Sequence, residues 1–569
     1  MTAGKKYTFN LLLLLCGFLN LCWGQKQDNF WVLGDGVSID FGYSTPLMAS
    51  SSISIANGNM EGCAAMSDQN GNLLLYTDGE SVWNSKHNLM NNGTGIGGDR
   101  GSSQSAVIVP KPGDASIYYI FTTDRAGGSN GLRYSEVDIS ANKGIGQVTS
   151  KGNLLIWAVS EKITATLHTN GYDYWVLTHE WYTNNFIAFK VTCQGVDLSP
   201  VISAAGSKHE PEFSIPFPLD NAAGYMKISP DGSSVALAVE GTGFVEVFDF
   251  DVATGIVNNP IKINGIFKAY GVEFSPDNSK LYVSERTSIS DIYQFDLTAI
   301  NVPASKQNVG QSYVPQQVAG ALQLAPDGKI YFARHNLLPA NFVNSKYLGG
   351  ILQPNLLGSA CGYNDRELYL GNRRSTVGLP NFASNYVEDR KPALRISHTT
   401  GNCKISLAGV STITGNLQWN WEISHGNTTE NFSGRTLEYE FESGTICNVT
   451  LNIRNSNCII AEVLEEIEVT CESDAICFVE VPTAFNLSEN NVTKLLRPVV
   501  GEQCELTDYH FKIFNRWGEI LFETQTQDKG WNGFYNGLRV PVDVYPWYVY
   551  YANEDGVRNE KSGTTMVVR

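Results

Sequence analysis

Apolar residues along this chain gather in short runs, alternating with polar ones, and the runs end at Gly, Asn, Asp or Pro. Long amphipathic stretches at helical spacing are scarce, so the pattern predicts short strands joined by tight turns. The clearest unit is Phe274-Ser275-Pro276-Asp277-Asn278-Ser279-Lys280-Leu281-Tyr282-Val283. It echoes Ile228-Ser229-Pro230-Asp231-Gly232 upstream and Leu324-Ala325-Pro326-Asp327-Gly328 downstream, with prolines 46 and 50 residues apart. Proline presets φ at the first turn position, Asp caps the turn, and Gly or Asn takes the left-handed position. Weaker copies precede Leu73-Leu74-Leu75-Tyr76, Tyr118-Tyr119-Ile120-Phe121 and Tyr174-Trp175-Val176-Leu177. A repeat of this length, with one strand entering and one leaving each turn, predicts a β-propeller over residues 28–388. Six units are visible. A seventh is expected from Phe30-Trp31-Val32-Leu33 and the region near 365–385, with both ends of the segment closing the ring.

After Asp389-Arg390-Lys391-Pro392 the pattern changes to longer alternating runs, such as Leu417-Gln418-Trp419-Asn420-Trp421-Glu422-Ile423 and Cys447-Asn448-Val449-Thr450-Leu451-Asn452-Ile453. Residues 393–472 read as a second all-β unit, a sandwich whose faces alternate. Its tryptophan strand, the aromatic strand Tyr439-Glu440-Phe441 and the Gly444–Val449 strand start resemble a PKD-like, immunoglobulin-type sandwich. His425-Gly426-Asn427 stands where that family carries Gly-Asp-Gly. The resemblance implies a spacer.

Residues 477–569 form the third unit. Phe511-Lys512-Ile513-Phe514 leads into Asn515-Arg516-Trp517-Gly518, followed by Gly530-Trp531-Asn532-Gly533, Val544-Tyr545-Pro546-Trp547-Tyr548-Val549-Tyr550 and a Gly563-to-Arg569 end. This series resembles the gliding-motility-associated C-terminal domain, the type B sorting signal of type IX secretion. The resemblance implies handling by the type IX outer-membrane machinery and a secreted or cell-surface location. The positions carried over are Asn515, Arg516, Trp517, Gly518, Trp531, Gly533, Tyr545, Gly563 and Arg569. Trp517 and Trp531 are also read as filling the core of a small sandwich, with Gly518 and Gly533 permitting turns. Val481-Pro482-Thr483-Ala484-Phe485-Asn486 departs from the Gly- and Asp-rich opening of the family, which argues against calcium there. Asp78-Gly79-Glu80-Ser81-Val82-Trp83-Asn84 and Gly378-Leu379-Pro380-Asn381-Phe382 resemble propellers found upstream of this signal, and bring no activity with them.

Export agrees with the N-terminus. Lys5 and Lys6, the apolar Leu11–Leu15 run and Gly24 read as a signal peptide over residues 1–24, removed after Gly24. No stretch of the mature chain is apolar enough to span a bilayer as a helix. The formal charge of -17 repels phosphate backbones, so nucleic acid is not expected as a partner. Nine of the 11 cysteines lie beyond residue 24, three in the propeller (Cys63, Cys193, Cys361) and six in the C-terminal third (Cys403, Cys447, Cys458, Cys471, Cys477, Cys504). Passage through oxidising space favours disulfides over zinc, since Cys-x2-Cys pairs are missing; the six allow fifteen pairings. An odd total leaves at least one free thiol.

In a propeller, the loop after each second strand opens opposite the repeated turns. At that point stand Asp78, Asp124 with Arg125, His179 with Glu180, Glu240, Glu285 with Arg286, and Arg334 with His335. Approximate symmetry predicts a ring of ionisable groups on one face, with Trp83, Trp181 and Tyr182 nearby. Carboxylates, guanidiniums and imidazoles beside aromatics suit an extracellular glycan or protein ligand. Solvated loops are also polar without any ligand. No metal or cofactor motif is present, and the Gly95–Gly98 loop has no strand-to-helix context for a nucleotide. Two functions remain: a surface or secreted binding protein with the propeller face as its recognition surface, or an extracellular polysaccharide- or peptide-degrading enzyme on that face. The first is favoured: a binder needs only a broad face with aromatics, whereas an enzyme needs converging titratable groups, and no such pair can be assigned without geometry among residues this far apart in sequence.

Overall fold

The computed structural model describes residues 26–53, 61–312, 317–336, 344–384 and, with short breaks, 394–471, 479–486, 495–552 and 556–568. The signal peptide expected over residues 1–24, Cys477 and Arg569 lie outside the described residues. The chain is all β.

Seven blades follow one another from residue 30 to residue 369, each of antiparallel strands, with the second and third joined into one eight-stranded sheet by a parallel pairing of Gln147 with Asn91. The first has three strands, Phe30–Leu33, Val37–Asp40 and Leu47–Ser50. The others begin with Ala64–Ser67, Ala106–Lys111, Val159–Leu167, Met226–Ile228, Ala269–Phe274 and Gln317–Leu324. Each of these first strands packs against the first strand of the next sheet, and the large apolar clusters sit between neighbouring sheets. Thus Val107 and Phe121 of the third blade meet Ile163 and Val176 of the fourth, while Leu177 and Phe186 of the fourth meet Leu237 and Phe248 of the fifth. This face-to-face stacking of blades makes the propeller.

The repeated turns join first and second strands as their chemistry requires. The Gly232, Asn278 and Gly328 amides each donate to the carbonyl three residues back, at 2.8–2.9 Å. All three residues hold a left-handed φ between 63° and 79°. Asp231 and Asp277 accept from the serines on either side of the turn, Ser229 with Ser233 and Ser275 with Ser279.

The ring closes through the segment 375–384. Val377 accepts from Ala321 of the seventh blade, Pro380 forms a parallel bridge to Cys63 of the second, and Phe382 lies 6.2 Å from the Trp31 ring of the first. The segment therefore stands inside Phe30–Leu33, where the first blade's own first strand is missing. Trp31 also meets Tyr331 edge-on at 6.0 Å, sealing the first blade to the seventh. Beyond Pro380 the segment crosses toward the opposite wall, where Ser384 bonds Ala165 and Ile228. At the crossing, Asn381 donates to Ala106 and Ile163 and accepts from Gln104, whose own amide also pairs with Met226. The chain thereby plugs its own axis. A cavity of about 10 Å³ remains at the lower end, lined by Lys227, Glu273, Gln323 and Phe382.

The sandwich pairs a three-stranded sheet with a four-stranded one around Trp421, Ile423, Val449 and Leu451. It joins the propeller on the side of the repeated turns. The Cys193–Cys458 disulfide links the fourth blade to the sandwich, Asn455 donates to the Tyr172 hydroxyl at 2.7 Å, and Tyr172 packs with Ile413, Ile453 and Ile460. Cys403–Cys471 closes the sandwich internally. Pairing is thus not confined to the C-terminal cysteines: Cys458 reaches into the propeller, and Cys63, Cys361 and Cys447 remain as buried thiols. The last unit is a five-stranded sheet with two small ribbons, packed around Phe485, Phe511, Ile513, Trp531 and Val549.

Candidate functional site

The loops after the second strands gather at the end of the propeller opposite the sandwich, the upper face below. Most ionisable side chains at this point turn inward. Asp78 is 1% exposed, caps its own loop by accepting from the Glu80 and Ser81 amides, and pairs with Arg100 at 2.9 Å. Burial raises its pKa, and the Arg100 charge opposes the shift. Asp124 accepts from the Arg125 and Asn130 amides, and the Arg125 stem lies against Gly101. Arg334, also 1% exposed, donates to Gln317 and Asp365 at 2.7 Å. Glu285 accepts from the Phe267 amide. Trp83 stacks on Tyr76 at 5.4 Å within the second blade.

His179 is buried and stacks on His209 at 3.7 Å, while Trp181 packs flush against Gly127. Burial, then the Lys162 charge, pulls the His179 pKa down to about 3, so the ring is neutral. Glu180 is half-buried and binds Thr183 and Asn185. His335 is also partly buried; its pKa is depressed by burial and by Arg286. These positions hold loops in place rather than standing free in a ring.

One pair does converge. Arg286 donates to Glu240 at 3.3 Å and, bidentately, to Glu61 at 2.9 and 3.2 Å. Its guanidinium lies 4.8 Å from the Tyr270 ring, and Tyr270 donates to Glu61 as well. Lys268 extends the cluster, pairing with Asp220 at 2.9 Å and Glu240 at 3.5 Å. Burial raises the Glu240 pKa against the pull of Arg286 and Lys268. Deeper in the ring, Glu161 accepts from the Ser103 amide and hydroxyl and the Ala126 amide, and Lys162 donates to the Ala222 and Ala223 carbonyls. Burial pushes the Glu161 pKa up and the Lys162 pKa down.

Glu61, Glu161, Lys162 and Tyr270 escaped the count along the sequence because they sit at the upper ends of first strands. The signal was there: the innermost strand of a propeller blade borders the central channel.

A second omission is apolar; of the side chains involved, the sequence placed only Tyr182 beside the ring. Seven aromatic side chains are exposed among the described propeller residues, and five crown the upper face: Trp157, Tyr182, Phe213, Phe217 and Phe267, between 53% and 83% exposed. They come from loops of the third to sixth blades. Lys268 lies 5.6 Å from the Phe217 ring, which ties the aromatic loops to the charged cluster.

In the last unit, Asn515 accepts from the Trp517 and Glu519 amides, and Gly518 takes a left-handed φ of 80°. Arg516 pairs with Asp543 on the surface. Trp531 fills the core and donates to Phe534, with Tyr545 edge-on at 5.2 Å; Gly533 is left-handed too. Gly563 lies under the Trp547 ring, leaving no room for a side chain. Trp517, expected in the core, is 85% exposed. It sits at the tip of a tight turn, where no strand neighbour can cover it. Residues 479–567 match the model of the CHU_C type IX secretion signal domain.

This unit is a type IX sorting domain.

It marks the chain for delivery to the cell surface or the extracellular space, and no helix among the described residues is long and apolar enough to cross a membrane. No curated protein matches the chain. Among solved structures, a functionally unknown protein from Desulfotomaculum acetoxidans aligns at 12% identity over 62% of this chain and 99% of its own, with a TM-score of 0.36. The periplasmic gluconolactonase PpgL of Pseudomonas aeruginosa aligns at 13% over 70% and 96%, TM-score 0.32. The Dos1 propeller aligns at 10% over 67% and 84%, TM-score 0.36. Likeness at this level carries nothing about activity.

Proposed function

We propose that the chain is a non-enzymatic binding or adhesion protein, delivered by the type IX machinery and meeting its ligand through the upper face of the propeller. The observation that carries this reading is the crown of five exposed aromatic residues on the face opposite the sandwich. Large exposed apolar side chains gathered on one face mark an interaction surface, and this one points away from the sandwich and the sorting domain that follows it. The sandwich then serves as a spacer. Arg125, exposed, and Glu180 and His335, partly exposed, are the members of the predicted ring left to supply polar contacts beside the crown.

The reading as a hydrolase or lyase draws less support. Glu161 and Glu240, the axial carboxylates with raised pKa, are 3% and 5% exposed, and their oxygens are already engaged. The test is retention of the purified full chain on the extracellular material of the producing cells. Wild type is expected to bind, and Tyr182→Ala with Phe217→Ala to bind at least tenfold less. Equal binding by both would refute the reading.

A further inference from the structure

We infer that the upper face takes an uncharged polysaccharide; the inference rests on the recognition role proposed above. Three observations carry it. The first is the kind of side chain displayed. Trp157, Tyr182, Phe213, Phe217 and Phe267 arise from four separate loops, so no single amphipathic strand accounts for them. Aromatic rings offer flat apolar faces on which the C–H face of a sugar ring can lie, and several rings spread over several blades suit successive units of a chain better than one monosaccharide.

The second is the state of the charges around which the crown is built. Lys268 is matched by Asp220 and Glu240, Arg286 by Glu61 and Glu240, and Lys208 by Glu210. A site for a sulfated, phosphorylated or uronic acid polymer would present cations to the ligand. Here these three cations are held by carboxylates rather than presented to a ligand, which leaves Arg125 as an exposed cation beside the crown. The third is long-range. A formal charge of -17 repels polyanions and leaves a neutral chain unaffected.

Affinity electrophoresis of the full chain tests this, with gels carrying hydroxyethyl cellulose, galactomannan, xylan or starch as neutral probes and alginate or chondroitin sulfate as charged ones. The expected result is retardation by at least one neutral polymer, unchanged by added salt. The triple variant Phe213→Ala, Phe217→Ala, Phe267→Ala should lose at least tenfold in affinity while melting at the wild-type temperature. Retardation by charged polymers alone, retardation that salt abolishes, or full binding by the triple variant overturns the inference. So does silence with every neutral polymer. A parallel assay on the producing cells' extracellular material separates the two levels. Binding that depends on the three phenylalanines but is not competed by neutral polymers keeps the recognition face and refutes the sugar. Binding indifferent to them refutes both.

Discussion

The two ends of the propeller are built on different principles. At the sandwich end, the fifth to seventh blades repeat one local device: a turn fixed by Pro, Asp and Gly or Asn, hydrogen-bonded within itself. At the upper end nothing repeats. Loops differ in length, and their charged groups are satisfied across the ring, as when Arg286 reaches Glu61 from 225 residues away. Local turns keep a scaffold's geometry without reference to the rest of the chain. Cross-ring contacts make the upper face depend on the whole circle being closed.

This contrast can be broken from the closure outward. Gly378→Val should have the largest effect, because any side chain there collides with the Glu61 carbonyl and forces the closing segment off the ring. A loss of about 4 kcal/mol or more, or failure to yield soluble protein, is expected in denaturant melts. Arg286→Ala leaves Glu61 buried without its cation and Glu240 with Lys268 alone, and should cost about 3–5 kcal/mol. Double substitution of Glu61 and Glu240 to Gln on that background should restore part of the loss, which would identify the penalty as electrostatic. Cys458→Ser removes the clamp between propeller and sandwich and should cost about 2–4 kcal/mol. Non-reducing peptide mapping of wild type should recover Cys193 linked to Cys458. Asp277→Ala, at the repetitive end, should cost only about 1 kcal/mol, since one turn loses its serine bonds while its neighbours keep theirs. If Asp277→Ala proved as damaging as Arg286→Ala, the distinction between the two ends would fail. Trp517→Ala belongs at the foot of the scale for stability, within about 0.5 kcal/mol, because nothing packs on it. A drop in the exported fraction without a change in melting would assign that side chain to recognition during delivery.

What could be read in the sequence follows the same division. Pro230, Pro276 and Pro326 with their Asp-Gly or Asp-Asn partners announce the blades, because turn chemistry acts over four residues. The pairing of Phe30–Leu33 with the region near 365–385 was readable as ring closure; that the segment goes on to plug the axis through Asn381 was not. Counting past each turn reached the upper loops but not the direction of their side chains, so Asp78, His179 and Arg334 were placed in a ring they brace from beneath. The axial groups Glu61, Glu161 and Lys162 meet partners that no sequence window contains. Trp517 and Trp531 look alike as letters; a turn tip exposes one, and a ribbon beneath Phe485 buries the other.

The Cys193–Cys458 bond has a mechanical consequence. Were the chain held by its C-terminal unit and pulled through a ligand on the upper face, load would enter the propeller at the fourth blade through a covalent link rather than along residues 385–393. The bond shunts a span of 265 residues, which includes the fifth to seventh blades and the closing segment. Traction on a bound ligand would therefore not peel the propeller open from its seam, the place where a ring made from two chain ends would otherwise tear first.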